Sequence, residues 1–308
     1  MKAMTYERYG EPDVLQLTEQ PMPKVAPGEV LIRVRCAAVN PVDWKLMSGK
    51  LDAVMPTFFP VIPGWDVAGT VEAVGFDAPE FVPGDEVLSY ARKDFVQGGT
   101  YAEFVSVPVR MVAHKPQALG WDEAAGLPLA GLTAYQLLTR LGTQRGDVVL
   151  VHAASGGVGV MAAQIARNLG ARVIGTASQK NHAFLGSLGI EPVEYGDGLA
   201  ERVRSLAPEG VDVVADFIGG VLPITQAVLR DGGRHASIVD DSVQEAGGHY
   251  IWVRPSAEDL QVLADMAAEG RLEVPIAERF ALEQAADAFR LNQTGHVRGK
   301  IIVQVAED

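Results

Sequence analysis

Three features of the sequence predict an α/β protein whose doubly wound parallel sheet follows a compact domain of short strands. Residues 148–159, Val-Val-Leu-Val-His-Ala-Ala-Ser-Gly-Gly-Val-Gly, carry an apolar strand into a turn of small residues and then into a helix. From about residue 122, strand-like and helical segments alternate to about residue 270, the pattern of parallel strands joined by crossover helices. Up to about residue 112, short Val-containing runs separated by Pro and Gly suggest a compact β-barrel.

In chain order, the runs 29–35, 66–74 and 85–88 read as barrel strands, and Pro83-Gly84 has the residue order of a type II turn. Cys36, the single cysteine, excludes an intramolecular disulfide and a multi-cysteine metal lobe; it reads as a small buried hydrophobe in a strand. After the strand ending at Val151, residues 158–169 read as a helix with Ala162, Ala163, Ile165 and Ala166 on its buried face and Gly170 just past its end. Residues 172–177 form a second strand, so strand, turn, helix and strand complete one βαβ unit. Runs 211–217 and 233–239 add further parallel strands, and 299–305 is a strand able to return to the first domain. The expected division is 1–114 with 272–308 as one domain and 115–271 as the other.

The turn carries the first chemical signal. Small residues where a strand hands over to a helix let a dinucleotide diphosphate approach main-chain N–H groups and the positive end of the helix. Ala154 takes the place of the first glycine of a G-x-G-x-x-G pattern, Gly156 permits close approach of the diphosphate, and Gly159 permits close packing of helix on strand. Ser155, Gly157 and Val158 complete the cradle. Such turns also occur where nothing binds, and the βαβ context argues against that alternative. About 20 residues on, a site for NAD places an acid on the ribose hydroxyl. Here the positions are Thr176, Ser178 and Lys180, with no acid, which favours NADPH over NADH; the alternative for Lys180 is a solvated helix start.

Composition excludes other classes. With 48% apolar and 21% charged residues and a net charge of −13, the chain reads as a globular protein without affinity for polyanions, so no nucleic-acid partner is expected. The start lacks an apolar signal core and no run suits a membrane span, so a cytoplasmic setting is expected.

Several ordered motifs then bring a family into view: Ala-Ala-Val-Asn-Pro-Val-Asp at 37–43, Pro-Gly-Trp-Asp-Val-Ala-Gly at 63–69, Gly-Leu-Thr-Ala-Tyr at 131–135, the glycine turn, and His-Val-Arg-Gly-Lys at 296–300. With them the chain resembles the medium-chain dehydrogenase/reductase superfamily, within its zinc-independent quinone oxidoreductase and enone reductase group. The resemblance implies a GroES-like β-barrel catalytic domain built from both chain ends, a central Rossmann domain, and a homodimer. Zinc-dependent members hold metal where this chain has Asn40 and the Gly64-Trp65-Asp66 motif, which cannot rebuild the site. That moves the expected reaction from alcohol oxidation toward reduction of an activated carbonyl.

Hydride addition to the β-carbon of an enone, or to a quinone, builds negative charge on oxygen, which needs hydrogen-bond donors. Asn40 and Lys45 are the candidate catalytic residues. Asn40 before Pro41 also suits turn ordering, and Lys45 a solvated position. Asp43 reads as a capping or turn residue. The second hydrogen has no identified donor; water is the economical choice, with Tyr90, Tyr135 and His152 as alternatives. The resemblance gives Thr133 to the nicotinamide and Tyr195 to the adenosine; Ile218 and Val239, at successive strand ends, are expected to line the ring, and Arg298 and Lys300 to close over the cofactor from the tail. Met47, Met55, Phe58, Phe59 and Trp252 suggest an apolar substrate lining. The expected activity is NADPH-dependent reduction of a quinone or an α,β-unsaturated carbonyl. The alternatives are a trans-acting enoyl reductase of a biosynthetic pathway and a non-catalytic NADPH-binding structural or sensor protein.

Overall fold

The computed structural model describes residues 1–306; Glu307 and Asp308, the end of the expected 272–308 segment, lie outside the described residues. The chain folds into two units. The first comprises Met1–Leu132, Pro255–Gly270 and the chain from Val274 on; the second comprises Thr133–Arg254 and Arg271–Glu273. No helix of the described residues is long and apolar enough to cross a membrane.

In the first unit the long strand Glu29–Val39 is the hub, because strands Asp66–Val74, Phe104–Pro108 and Lys300–Gln304 all pair with it antiparallel. Val30, Ile32 and Val34 fall at the two-residue period that points one face inward, and they pack with Val67, Val71, Val87, Val105 and Val107. The tail returns as expected: Ile301 lies opposite Val39 and Gln304 opposite Cys36, which is buried. Beyond it, the parallel strand Ile276–Ala281 closes the order on that side, so the barrel sheet does draw on both ends of the chain. Gly69 pairs with Val34 between strands Glu29–Val39 and Asp66–Val74, and a Cβ there would sit 2.1 Å from the carbonyl oxygen of Arg33.

The second unit is built on a six-stranded parallel sheet in the order Glu191–Glu194, Arg172–Ala177, Val148–Val151, Val211–Asp216, Leu229–Ser237, His249–Tyr250. The inner strands Arg172–Ala177, Val148–Val151 and Val211–Asp216 are mostly apolar and buried, as strands covered on both faces require, and Leu150, Ile174, Val193, Val211 and Val214 pack with Leu199, Val203 and Val228. From Val148–Val151 the chain proceeds outward on one side, then crosses back to Val211–Asp216 on the other. The adjacent ends of these two strands therefore mark the point where the winding reverses, the usual position of a ligand crevice in such sheets. The strand expected at 233–239 runs instead from Leu229 to Ser237. It stops two residues early because the Ser237 hydroxyl accepts the main-chain N–H groups of Val239 and Asp240, turning the chain out of the sheet.

Replacing Gly69 by Ala should lower unfolding stability by about 1–3 kcal/mol, the usual cost of overpacking. A urea midpoint equal to that of the unmodified chain would show that the two strands separate there freely.

Candidate functional site

The glycine turn adopts the geometry its residues anticipate. Helix Gly157–Asn168 starts after Gly156, an N-cap residue with no side-chain cap, and its first intrahelical bond runs from Val160 N to the Gly156 carbonyl. The N–H groups of Gly157, Val158 and Gly159 precede that bond and are left for a ligand. Ala153, at φ +55°, makes the sharp turn, and a Cβ on Gly159 would lie 2.2 Å from its carbonyl oxygen. Thr176, buried, supports this turn from the next strand, its hydroxyl accepting Ala153 N at 3.0 Å. Ala154 is buried beneath it. The cradle thus fits a diphosphate: open N–H groups, no capping side chain, and a glycine that no larger residue could replace.

Residues beyond the second strand gather beside the turn. Asn181 donates from Nδ2 to Ser155 Oγ at 3.1 Å and to Ser178 Oγ at 3.4 Å, joining the cradle to the strand end where selectivity for the ribose substituent is expected. Lys180 is exposed. Sequence reasoning had no part for Asn181, whose only signal is its place one residue past Lys180. Tyr195, Ile218 and Val239 are exposed, whereas Thr133 is buried. His152, at the end of the strand leading into the turn, is also buried; burial lowers its imidazole pKa to about 4, against the opposing pull of Asp216, so it is neutral at physiological pH.

In the first unit, Asn40 caps helix Pro41–Met47, a helix that begins with Pro and keeps Asp43 in its first turn. Asp43 ties down the helix start by accepting Asn40 N at 2.8 Å, and no side-chain bond from Asn40 reaches the helix. The Asn40 amide faces inward: Nδ2 donates to Asp66 Oδ2 at 2.8 Å, and Oδ1 accepts Lys300 Nζ at 2.5 Å. Lys300 also donates to the Val39 carbonyl at 3.2 Å and lies 3.6 Å from Asp66 Oδ2. Lys300 is therefore brought together with Asn40, inside the barrel unit, while Arg298 two residues earlier is exposed. Tyr101 donates to Asp43 Oδ2 at 3.1 Å, completing a buried cluster of two carboxyls, one amide, one phenol and one ammonium. Burial raises Asp43 from 3.8 to about 7 and Asp66 to about 6, with the Lys300 ammonium opposing both shifts. Asp66 and Tyr101 carried no assigned role in the sequence; an acid opening the apolar run 66–74 was the available signal, because a buried carboxylate requires partners.

Lys45 lies on the same helix, half-buried, with its ammonium 5.7 Å from the centre of the Trp44 ring and that of Lys50 5.5 Å from it. Burial, then the Lys50 charge, lowers the Lys45 pKa below 10.5, making it a stronger acid. Trp44 itself is anchored through Nε1 to Asn292 Oδ1 at 2.9 Å. Of the expected apolar lining, Met47 and Met55 are buried, while Phe58, Phe59 and Trp252 are exposed. Phe58 stands edge-on to Phe95 and Phe59 edge-on to Tyr9.

Residues 26–117 match the alcohol dehydrogenase GroES-like domain family and residues 188–303 the zinc-binding dehydrogenase family. The chain is similar to a chloroplast envelope quinone oxidoreductase homolog of Arabidopsis thaliana, 32% identical over 99% of this chain and 98% of that one. It is similar also to the chloroplastic NADPH-dependent alkenal/one oxidoreductase of the same plant, 33% identical over 98% of this chain and 79% of that one. Among solved structures, the quinone oxidoreductase from Coxiella burnetii superposes with a TM-score of 0.89 at 34% identity, covering 99% of each chain.

A family described as zinc-binding calls for a test of the residues themselves. Trp65 is buried edge-on to Tyr90, and its indole offers a donor and no lone pair for a metal. Asn40 Oδ1 and Asp66 Oδ2, the oxygens that remain, face the Lys300 ammonium. Among the described residues no group of three or more His, Cys, Asp or Glu could hold a metal ion. The donor set does not fit zinc.

The cluster makes a pH prediction. Because the folded pKa values of Asp43 and Asp66 are raised, the folded chain binds protons more readily than the unfolded chain. Their stabilising contribution is complete below the unfolded value of 3.8 and is lost as pH rises through about 6 for Asp66 and about 7 for Asp43. Urea midpoints measured from pH 4 to 8 should fall over that window for the unmodified chain and fall less for Asp43→Asn; parallel curves would contradict the assignment.

Proposed function

Because this chain belongs to the medium-chain dehydrogenase/reductase superfamily, in its quinone oxidoreductase and alkenal/one oxidoreductase group, and is an oxidoreductase, we propose that it reduces a quinone or an α,β-unsaturated carbonyl with NADPH, without zinc. The observation that carries the zinc-free reading is the buried cluster around Asn40, in which an ammonium faces the oxygens that a metal would need. No Lewis acid is then available to activate an alcohol, so the substrate must bring its own electrophilic carbon.

When bound, the reduced nicotinamide supplies a hydride. The main-chain N–H groups of Gly157, Val158 and Gly159 hold its diphosphate, while Ile218 and Val239 offer apolar surfaces to the ring. Thr133 and Tyr195 are assigned to the nicotinamide and adenosine ends. As electron density moves to the substrate oxygen, Lys45 is the donor in this reading; both groups of the Asn40 amide are already engaged, so Asn40 holds the helix start that carries Lys45. The lowered pKa of Lys45 strengthens the hydrogen bond it gives that oxygen, the ammonium keeping its proton. For an enone, the enolate so held takes its one proton at the α-carbon from water, which leaves as hydroxide while the carbonyl is restored. Ser178 and Lys180, at a strand end without an acid, support preference for a cofactor carrying a 2′-phosphate, with Arg298 as a further cation toward it. The reading places the enzyme in the cytoplasm as a homodimer acting on small molecules.

NADPH oxidation against quinones, short enals, cyclic enones and acyl thioesters tests the assignment. Turnover is expected with quinones or enones; activity confined to thioesters would favour a trans-acting enoyl reductase, and cofactor binding without turnover a structural protein. Lys45→Met should reduce kcat about 100-fold if Lys45 is an oxyanion donor. An unchanged kcat would remove Lys45 from the chemistry. Lys180→Ala should weaken NADPH binding about tenfold while leaving NADH nearly unchanged, as loss of a charge-assisted contact would. A constant ratio of the two affinities would contradict the 2′-phosphate assignment.

A further inference from the structure

Ile218 and Val239, the apolar residues assigned to the nicotinamide, lie on neighbouring strand ends and are 62% and 41% exposed. Packing leaves both side chains partly in solvent. Each instead belongs to a segment whose main chain is tied to one buried acid. Asp216 Oδ1 accepts the N–H groups of Ile218 and Gly219, both at 2.9 Å, and Oδ2 accepts the Ser237 hydroxyl at 2.7 Å. Ser237 Oγ in turn accepts Val239 N at 3.2 Å and Asp240 N at 3.0 Å. One carboxylate and one hydroxyl thus account for four N–H groups that leave the sheet as the two strands end. The segments also touch directly: a Cβ on Gly219 would meet Val239 Cγ2 at 3.2 Å.

We propose that Asp216 and Ser237 are positioning residues for the nicotinamide end of the cofactor, acting through the main chain of the segments that carry Ile218 and Val239. The inference rests on the dinucleotide reading above. Its physical basis is the location of the hub. Asp216 is 4% exposed and Ser237 0%, so neither reaches a ligand, yet both lie at the strand ends next to the point where the winding reverses. Burying a carboxylate is costly unless its partners are fixed, so the bonded arrangement holds both segments in one conformation. A site that places a ring for hydride transfer needs that rigidity, because small displacements of the reacting atoms are expensive.

The two variants act on different bonds. Ser237→Ala removes the acceptor for Val239 N and Asp240 N. Asp216→Asn keeps Oδ1 for Ile218 and Gly219 but replaces the oxygen that accepts the Ser237 hydroxyl. Equilibrium binding of NADPH, followed by its nicotinamide fluorescence, and of adenosine 2′,5′-bisphosphate, followed by calorimetry, reports the two ends of the cofactor separately. The expected result is that each variant weakens NADPH about tenfold, as loss of one or two hydrogen bonds would. Adenosine 2′,5′-bisphosphate should stay within about twofold of the unmodified chain, since the diphosphate turn and the strand end bearing Ser178 are untouched. The double variant should be no weaker than about the worse single one, because the groups act in series. Unchanged NADPH affinity, or equal weakening of both ligands, would overturn the proposal, the latter by showing a general loss of structure. An unmodified chain that binds neither ligand would overturn the dinucleotide reading and this inference with it, a result visible before any variant is compared.

Discussion

A carboxyl group buried at Asp66 is the constraint on which the first unit depends. Its two oxygens must both be satisfied away from water, and the chain does so with groups from distant segments. Oδ1 accepts Leu129 N, at the start of helix Pro128–Arg140, and Oδ2 accepts the Asn40 amide with the Lys300 ammonium close by. One residue thereby joins a barrel strand, the helix bearing Lys45, the returning tail strand and the helix through which the chain passes into the second unit. The same requirement fixes the sense of the Asn40 amide: nitrogen toward a carboxyl, oxygen toward an ammonium. With a second acid, Asp43, sharing the same enclosure, the cluster holds two carboxyls against one ammonium, and burial then favours keeping protons on them.

The second unit solves a different problem with main-chain groups. In the dinucleotide reading proposed above, a diphosphate is bound by N–H groups that any residue could supply, provided the side chains are small enough to let it approach. That reading assigns selectivity to where the side chains are: Ser178, Lys180 and Asn181 at one strand end, Ile218 and Val239 at two others. Thr176 and Ser237 show how this is maintained. Each is a small hydroxyl residue buried at a strand end, and each uses its oxygen on the main chain that leaves the sheet.

Local patterns made much of this legible in the sequence. The strand expected at 172–177 is the strand found, and the turn that precedes helix Gly157–Asn168 lies where small residues demanded it. The returning tail was visible as an apolar run, and Cys36 as a strand hydrophobe. The polar cluster was not legible, because its bonds join residues far apart: Asn40 and Lys300 are separated by 260 positions, Asp66 and Leu129 by 63. Periodicity carries no information across such distances. Lys300 illustrates the limit. Its place in a motif near the chain end suggested a cofactor contact, whereas its side chain lies 3% exposed against Asn40. Asn181 and Asp216 escaped for a related reason, since their hydrogen-bonding atoms serve turns whose shapes only the assembled sheet defines.

The position of strand Lys300–Gln304, inserted between Glu29–Val39 and Ile276–Ala281, bears on how the protein is made. A nascent chain emerging from the ribosome can complete the parallel sheet of its middle segment while the barrel still lacks an inner strand. Until residue 300 is translated, Asn40 and Asp66 have no cation between them. The buried polar cluster is thus assembled across the whole of the parallel sheet's synthesis, its ammonium arriving only after the sheet that lies between in sequence.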